Sequence, residues 1–322
     1  MIIVRSPLRI SFGGGGTDLP SYSKDRGGFC VSAAISKYSY VCINHSFFPG
    51  INIKYSENEK VKRLEQINHP IFREVLKEIN LKTPQVEIVS VADVPSDGAG
   101  LGNSGAFTVC LLKALYSYKN IPISQEEVAE KACYINMDIL NKTQGKQDEY
   151  ISALGGITCL EFNTDGSVTH YPLNISHETM INLEENLMLF YTGIKHDTQS
   201  ILGYQETMTR NGNFVWNLDQ VKEMGKWSKT ALETGNLMDF ANIINKQWDL
   251  KEERMPEKNQ KLYDLRQGLL DNGSIGVKLV GSGMGGFFLS YAGDKNKVRE
   301  YAKGKMEELR FSFDFEGCKR MV

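Results

Sequence analysis

Residues 97–105, Asp-Gly-Ala-Gly-Leu-Gly-Asn-Ser-Gly, place glycine at 98, 100, 102 and 105 just ahead of an apolar pattern at Phe107, Cys110, Leu111, Ala114, Leu115 and Tyr118. That spacing predicts a helix beginning at the end of the loop. The first amide groups of a helix have no partner within it and carry partial positive charge, so glycines there let an anion such as phosphate approach. Ser104 is placed to cap the helix or to ligate a divalent metal. The loop is not of the Walker type, because no Gly-Lys-Ser/Thr follows. Taken alone, it also reads as a glycine-rich turn with a serine cap.

Two further glycine clusters are far from the first. Gly281-Ser-Gly-Met-Gly-Gly286 matches Gly-x-Gly-x-x-Gly, but the residues that follow, Phe287-Phe-Leu-Ser, read as a strand. A dinucleotide fingerprint needs a helix there, so the context contradicts it. A strand, glycine turn and strand can instead press backbone against a ligand or a neighbouring loop. In Ser6-Pro-Leu-Arg-Ile-Ser-Phe-Gly-Gly-Gly-Gly-Thr-Asp-Leu-Pro20, a strand carrying Arg9 enters four glycines and leaves with Thr17-Asp18. Arg9 could neutralise a phosphate and Asp18 could accept from sugar hydroxyls; singly, they also read as a structural arginine and a turn aspartate. Gly145-Lys-Gln-Asp-Glu-Tyr150 sets two carboxylates just after a predicted helix, with Asp148 a candidate base for a hydroxyl.

The elements that position these groups follow from periodicity. Ile2–Val4, Val31–Ile35, Tyr38–Asn44, Ile51–Tyr55, Val86–Val94 and Ile157–Phe162 read as strands. Ser124-Gln-Glu-Glu127 is a capping box opening a helix to about Leu140. A strand at Leu187–Tyr191 precedes a long helical region from about Thr198 to Asp271. A hairpin of Gly276–Val280 with Phe287–Tyr291, a charged helix Lys295–Leu309 and a strand Phe311–Phe315 complete the chain. Strands, helices and strands again in both halves indicate α+β architecture, with a boundary near 175–185.

Composition excludes several classes. The 322 residues carry 37 basic and 39 acidic side chains, and 41% are hydrophobic. That is a globular composition, and it gives no support for nucleic-acid or anionic-membrane binding. No apolar run approaches the roughly 18 residues of a membrane span. Arg5 and Arg9 interrupt the N-terminus where a signal peptide needs an apolar core, so a cytoplasmic location is expected. Cys30, Cys42, Cys110, Cys133, Cys159 and Cys318 are scattered without a Cys-x-x-Cys pair and read as free, mostly buried thiols.

In this order, SPLRISFGGGGTDLP, PSDGAGLGNSGAF, GKQDEY and KLVGSGMGGF resemble the motifs of the GHMP small-molecule kinases, from residue 3 to residue 290. The GGGTD form, FTVCLLKALY, GKQDEY and YTGIKHDTQSIL narrow the resemblance to the branch acting on heptose 7-phosphate and fucose. Galactokinase has Gly-Glu-His-Thr-Asp where this chain has Gly14-Gly-Gly-Thr-Asp18. The resemblance implies an N-terminal ribosomal-protein-S5-like α/β domain (1–180) and a C-terminal ferredoxin-like α+β domain (181–322). It implies ATP and Mg²⁺ as cofactors, a small-molecule sugar phosphate as partner, no nucleic acid or membrane, and room for a homodimer. The reaction implied is phosphorylation of the anomeric hydroxyl of D-glycero-D-manno-heptose 7-phosphate to the 1,7-bisphosphate, in nucleotide-heptose synthesis for surface polysaccharide. A kinase of another sugar such as fucose or galactose, or a ligand-binding regulator derived from a kinase, are the alternatives.

Roles carry over by position. Pro95, Gly98, Ala99, Gly100, Leu101, Gly102, Asn103 and Ser104 are implied to wrap the ATP phosphates. Asp148 matches the catalytic aspartate and Arg9 the basic residue beside it. Thr17, Asp18, Gly15, Gly16, Gly283 and Gly285 fall on the sugar side, and Ser104 and Asn136 at the metal. Two departures stand out. Asn103 replaces the usual serine and can still cap a helix. Asn136 stands where the family has a metal-binding glutamate, and a neutral amide is a weaker Mg²⁺ ligand. Asp138 faces away from it on a helix. A second phosphate on the acceptor needs its own cations, for which Lys195, His196, Lys251 and Arg254 are candidates.

Overall fold

The computed structural model describes every residue except 82–84 and 95–97. The strands of the first half are β1 (Ile2–Gly13), β2 (Gly28–His45), β3 (Gly50–Lys54), β4 (Asn58–Val61), β5 (Gln85–Ala92), β6 (Ile157–Phe162) and β7 (Val168–Pro172). Those of the second half are β8 (Leu187–Tyr191), β9 (Ser274–Leu279), β10 (Phe287–Ala292), β11 (Glu307–Leu309) and β12 (Lys319–Arg320). The helices are α1 (Pro20–Arg26), α2 (Pro70–Glu78), α3 (Asn103–Tyr118), α4 (Gln125–Cys133), α5 (Gln147–Leu154) and α6 (His177–Asn186). They continue with α7 (Thr198–Arg210), α8 (Val215–Glu233), α9 (Leu237–Glu252), α10 (Gln260–Asp271) and α11 (Lys295–Ala302).

The short apolar fragments near the start of the chain are parts of β1 and β2, which pair antiparallel over most of their length. They look fragmentary in sequence because buried serines, Ser6, Ser32 and Ser39, interrupt the apolar runs. β2 has 18 residues, enough for two further neighbours: its C-terminal half pairs β5 and its N-terminal half pairs β6. The large sheet runs β12-β1-β2-β5-β3-β4, with β6 and β7 branching from β2. α3 packs on β1 and β2, and Val109, Cys110, Leu111, Leu112, Ala114 and Leu115 are all fully buried. A helix apolar on nearly every face belongs in a core, so α3 is fixed by what surrounds it.

The second half forms an antiparallel sheet ordered β11-β8-β10-β9. Strand, helices, two strands, helix and strand along the chain, with that sheet order, make the split β-α-β unit of ferredoxin-like folds. The two sheets share one apolar core, in which Leu8, Ile10 and Phe12 of β1 meet Phe240 and Ile244 of α9 and Leu289 of β10. α8 crosses β1 closely: a Cβ on Gly13 would lie 3.0 Å from the Gly225 Cα. No helix among the described residues is long and apolar enough to cross a membrane.

Four local expectations change. Asp148, expected just after a helix, lies in the first turn of a further helix, α5, whose period the buried Gln147, Glu149 and Ser152 conceal. The capping box at Ser124 and Glu127 is present, but the helix widens to a π-helical turn over Tyr134–Ile139. The charged helix expected to Leu309 stops at Ala302, ahead of Gly304 at φ +74°, and Glu307–Leu309 becomes an edge strand. Phe311–Phe315 is not a strand; Phe313 makes one bridge to Ile35, and β12 pairs with β1. The end of the chain thereby returns to the large sheet. All six cysteines are free, and five are buried.

Candidate active site

The N-terminus of α3 sits between β1 and α5, and this packing brings the four motifs together. Arg9, 6% exposed on β1, donates from Nε to Asp148 Oδ1 at 2.7 Å and from Nη1 to the Gly100 carbonyl at 2.6 Å. Its main-chain amide donates to the Leu101 carbonyl at 2.9 Å. A Cβ on Gly105 would stand 2.8 Å from the Asp148 Cβ, so glycine is required for α5 to approach α3 this closely. Asp18 Oδ1 accepts from the Gly16 amide and Oδ2 from the Gln147 amide, each at 3.1 Å. Burial and the neighbouring Asp148 push its carboxyl above the ordinary aspartate range.

A cavity of about 340 Å³ opens here, lined by Arg9, Gly15, Gly16, Asp18, Asp148, the loop glycines Gly100 and Gly102, and Asn103, Ser104 and Gly105 at the start of α3. It is also lined by Lys251 in the last turn of α9, Arg254 just beyond that helix and Lys278 from β9. Arg254 is 4% exposed and Lys278 5%. Lys278 Nζ donates to Gln247 Oε1 at 2.6 Å and to the Phe12 carbonyl at 3.1 Å. Lys251 Nζ donates to the carbonyls of Leu279 and Gly281, and Arg254 Nε to that of Leu250. Among the described residues none of these three cations has a carboxylate within ion-pair distance. Burial lowers all three: Lys251 well below its usual value, Arg254 to about 10 and Lys278 to about 7. Charges removed from water without a counter-ion are costly, and an anion in the cavity offsets that cost.

The third glycine cluster lies behind the central loop. A Cβ on Gly281 would be 2.5 Å from the Gly100 Cα, and one on Gly286 2.6 Å from the Ala99 carbonyl oxygen. The two loops thus meet backbone to backbone, as the strand–turn–strand reading expects. Gly283 faces Met255 and Lys251, and Gly285 faces Ile194 and His196, so neither borders the cavity.

Several other expected residues sit apart from it. Thr17 is fully buried; its hydroxyl bonds the Gly14 carbonyl and receives the Phe29 amide, holding the turn. Ala99 and Leu101 are buried in the core and Gly98 borders a separate recess with Lys195 and His196. His196 Nε2 lies 3.1 Å from Ser282 Oγ. Of the four candidate cations for a second phosphate, Lys251 and Arg254 reach the cavity and Lys195 and His196 do not line it. Pro95 lies outside the described residues. Asn103 does not cap α3; Gly102, at φ +78°, takes the cap position, and Asn103 Nδ2 bonds the Val94 carbonyl at 2.9 Å.

The expected metal pair is also arranged differently. Ser104 Oγ and Asn136 Oδ1 both accept from Lys142 Nζ, at 2.9 and 3.0 Å. An ammonium therefore stands between the two oxygens meant for Mg²⁺. Among the described residues no three His, Cys, Asp or Glu side chains form a metal cluster. As arranged, Ser104 and Asn136 do not fit a divalent ion. Lys142, Gln147, Glu149, Gln247 and Lys278 were absent from the sequence-derived site, because a lone charged or amide residue gives no signal of burial.

The GHMP kinases N terminal domain profile matches residues 61–156, and the GHMP kinases C terminal profile residues 228–307, together more than half of the chain. A D-glycero-alpha-D-manno-heptose 7-phosphate kinase of Campylobacter jejuni is 27% identical over 100% of this chain and 98% of its own. A bifunctional fucokinase/GDP-fucose pyrophosphorylase of Arabidopsis thaliana is 24% identical over 96% of this chain and 31% of its own. The crystal structure of a D-glycero-D-manno-heptose 1-phosphate kinase from Bacteroides thetaiotaomicron superposes with a TM-score of 0.84 at 24% identity, covering 100% of this chain and 99% of that one.

Proposed function

We propose that this chain, which belongs to the GHMP kinases and is an ATP-dependent phosphotransferase, transfers phosphate to the anomeric hydroxyl of D-glycero-D-manno-heptose 7-phosphate. In this reading residues 1–180 and 181–322 are its two domains, and the product enters nucleotide-heptose synthesis. The observation that carries it is the cavity itself. In it a carboxylate and a guanidinium, Asp148 and Arg9, meet beside a helix N-terminus. In the same cavity Lys251, Arg254 and Lys278 are buried without a carboxylate partner among the described residues.

The loop from Gly98 to Ser104 wraps the ATP phosphates, with the free amides at the start of α3 and the cavity-lining Gly100 and Gly102 receiving them. Phosphoryl transfer is largely dissociative, so positioning and charge balance supply most of the catalysis. Asp148 orients the acceptor hydroxyl and takes its proton as the new O–P bond forms. Arg9 holds that carboxylate and offsets charge on the transferred group. Asp18, anchored by two backbone amides, accepts from sugar hydroxyls beside Gly15 and Gly16. Lys251, Arg254 and Lys278 receive the phosphate already on the sugar.

The position of that phosphate separates two acceptors. A heptose 1-phosphate has its anomeric oxygen already esterified, so transfer to it would have to use another hydroxyl. The test is ADP release with ATP and magnesium against heptose 7-phosphate, heptose 1-phosphate, free heptose, fucose, galactose and mevalonate, with the product identified by NMR. Turnover with the 7-phosphate and a new anomeric phosphate supports the reading. Preference for the 1-phosphate or for a free sugar overturns it.

A further inference from the structure

Lys142 follows the π-helical turn that carries Asn136, and its main-chain amide donates to the Asn136 carbonyl at 2.9 Å. Asn136 is fully buried and its side chain is oriented by its neighbours. Nδ2 donates to Thr108 Oγ1 at 3.1 Å and to Glu149 Oε1 at 2.9 Å, which turns Oδ1 toward the lysine. Glu149 is also fully buried and accepts from Gln144 Nε2 at 2.5 Å; its other oxygen has no partner. A carboxylate, an amide, an ammonium and the Ser104 hydroxyl thus form one chain leading to the N-terminus of α3.

We propose that the Lys142 ammonium is the resident cation of the phosphate loop, binding nucleotide phosphate from the position that Ser104 and Asn136 were expected to give to a metal ion. An ammonium has three N–H donors. The structure assigns two, to Ser104 and Asn136, and Lys142 also lines the cavity. A phosphate on the first amides of α3 would meet the third. Ser104 is the second residue of that helix, so the ammonium and the helix N-terminus act on the same anion. Burial disfavours the charged lysine and Glu149 opposes that effect; burial and the neighbouring Asp148 raise Glu149 itself to about 7, so the support it gives the ammonium is that of its ionised form. The same arrangement accounts for Asn136. A neutral amide accepts one ammonium hydrogen bond without the repulsion a second carboxylate beside Glu149 would bring.

This inference rests on the reading that the loop binds ATP, and the experiment separates the two. Binding of adenylyl imidodiphosphate is measured by calorimetry in EDTA and in excess Mg²⁺, for the wild type, Lys142→Met, Lys142→Gln and Lys142→Arg. Thermal unfolding checks each fold; the glutamine variant serves if the methionine variant is unfolded. The wild type is expected to keep measurable affinity in EDTA. The neutral variants are expected to lose about ten- to a hundredfold there, the scale of one charge-assisted hydrogen bond, and the arginine variant to lose far less. Equal affinity of wild type and folded neutral variants in EDTA overturns the proposal, as does wild-type binding that appears only with Mg²⁺. No wild-type binding in either condition overturns the nucleotide reading and this one with it.

Discussion

Arg9 and Asp148 are joined at 2.7 Å, and the same guanidinium holds the Gly100 carbonyl at 2.6 Å. One buried side chain on β1 therefore fixes both the carboxylate at the start of α5 and the loop that opens α3. Three segments more than 40 residues apart become one rigid unit before any ligand arrives, which is the preorganisation that phosphoryl transfer requires.

Asp148→Asn should keep the fold, because the amide oxygen can still accept from Arg9. It should lower kcat by about 10²- to 10⁴-fold, the usual worth of a positioned proton acceptor, with little change in the KM for ATP. Steady-state kinetics check this, and a kcat within threefold of wild type would remove Asp148 from the role.

Gly105→Ala tests how closely α5 approaches α3. Alanine favours the helix by about 1 kcal/mol, yet its Cβ would stand 2.8 Å from the Asp148 Cβ. Overpacking of that kind costs about 1–3 kcal/mol and displaces the carboxylate. The expected result is a modest change in melting temperature with a large loss of kcat. A variant with unchanged kcat would show that α5 has more freedom than the packing allows.

The parts of this site that sequence reveals are those carried by the absence of a side chain. Three glycine clusters stand out in any reading, and two of them do meet, Gly100 against Gly281. Asp148 was visible, but its helix was not, because its buried positions are Gln147, Glu149 and Ser152 rather than leucines. The hairpin Gly276–Val280 with Phe287–Tyr291 was legible because its two apolar runs flank a glycine turn, whereas the ferredoxin-like arrangement around it came from the family resemblance rather than from any local pattern. The return of Phe313 and Lys319 to the first sheet is a pairing across some 300 residues, and no local pattern encodes it. Lys142 and Lys278 stayed hidden for another reason. Lysine is nearly always solvated, and only the completed packing shows these two turned inward.

Arg254→Met should separate acceptors. If the buried cations hold the sugar's existing phosphate, removing this guanidinium should raise the KM for heptose 7-phosphate by about ten- to a hundredfold, with the KM for free heptose unchanged. Gly16 leaves room for Arg254 Nη1, which would lie 2.9 Å from a Cβ there, so Gly16→Ala should shift the same KM in the same direction. Equal effects on both acceptors would mean that Arg254 supports the wall without meeting a phosphate.

Lys278 makes acceptor binding depend on pH. Burial, with Arg9 nearby, brings its folded-state value down to about 7 from 10.5. A depressed lysine penalises the folded state wherever it is charged, so its effect on stability is unfavourable below about 7 and is relieved as pH rises toward 10.5. An anion in the cavity reverses the preference, because it stabilises the ammonium. Affinity for heptose 7-phosphate should therefore fall above about pH 7, as the lysine of the free enzyme loses its proton and binding has to restore it. At pH 8 binding should take up a proton, so calorimetric enthalpies measured in Tris and in HEPES should differ with the ionisation enthalpy of the buffer. Lys278→Met should remove both the slope and the buffer dependence, and should weaken binding most at pH 6, where the wild-type lysine is charged. Identical enthalpies in the two buffers for the wild type would place the titrating charge elsewhere and leave Lys278 a structural partner of Gln247 and Phe12.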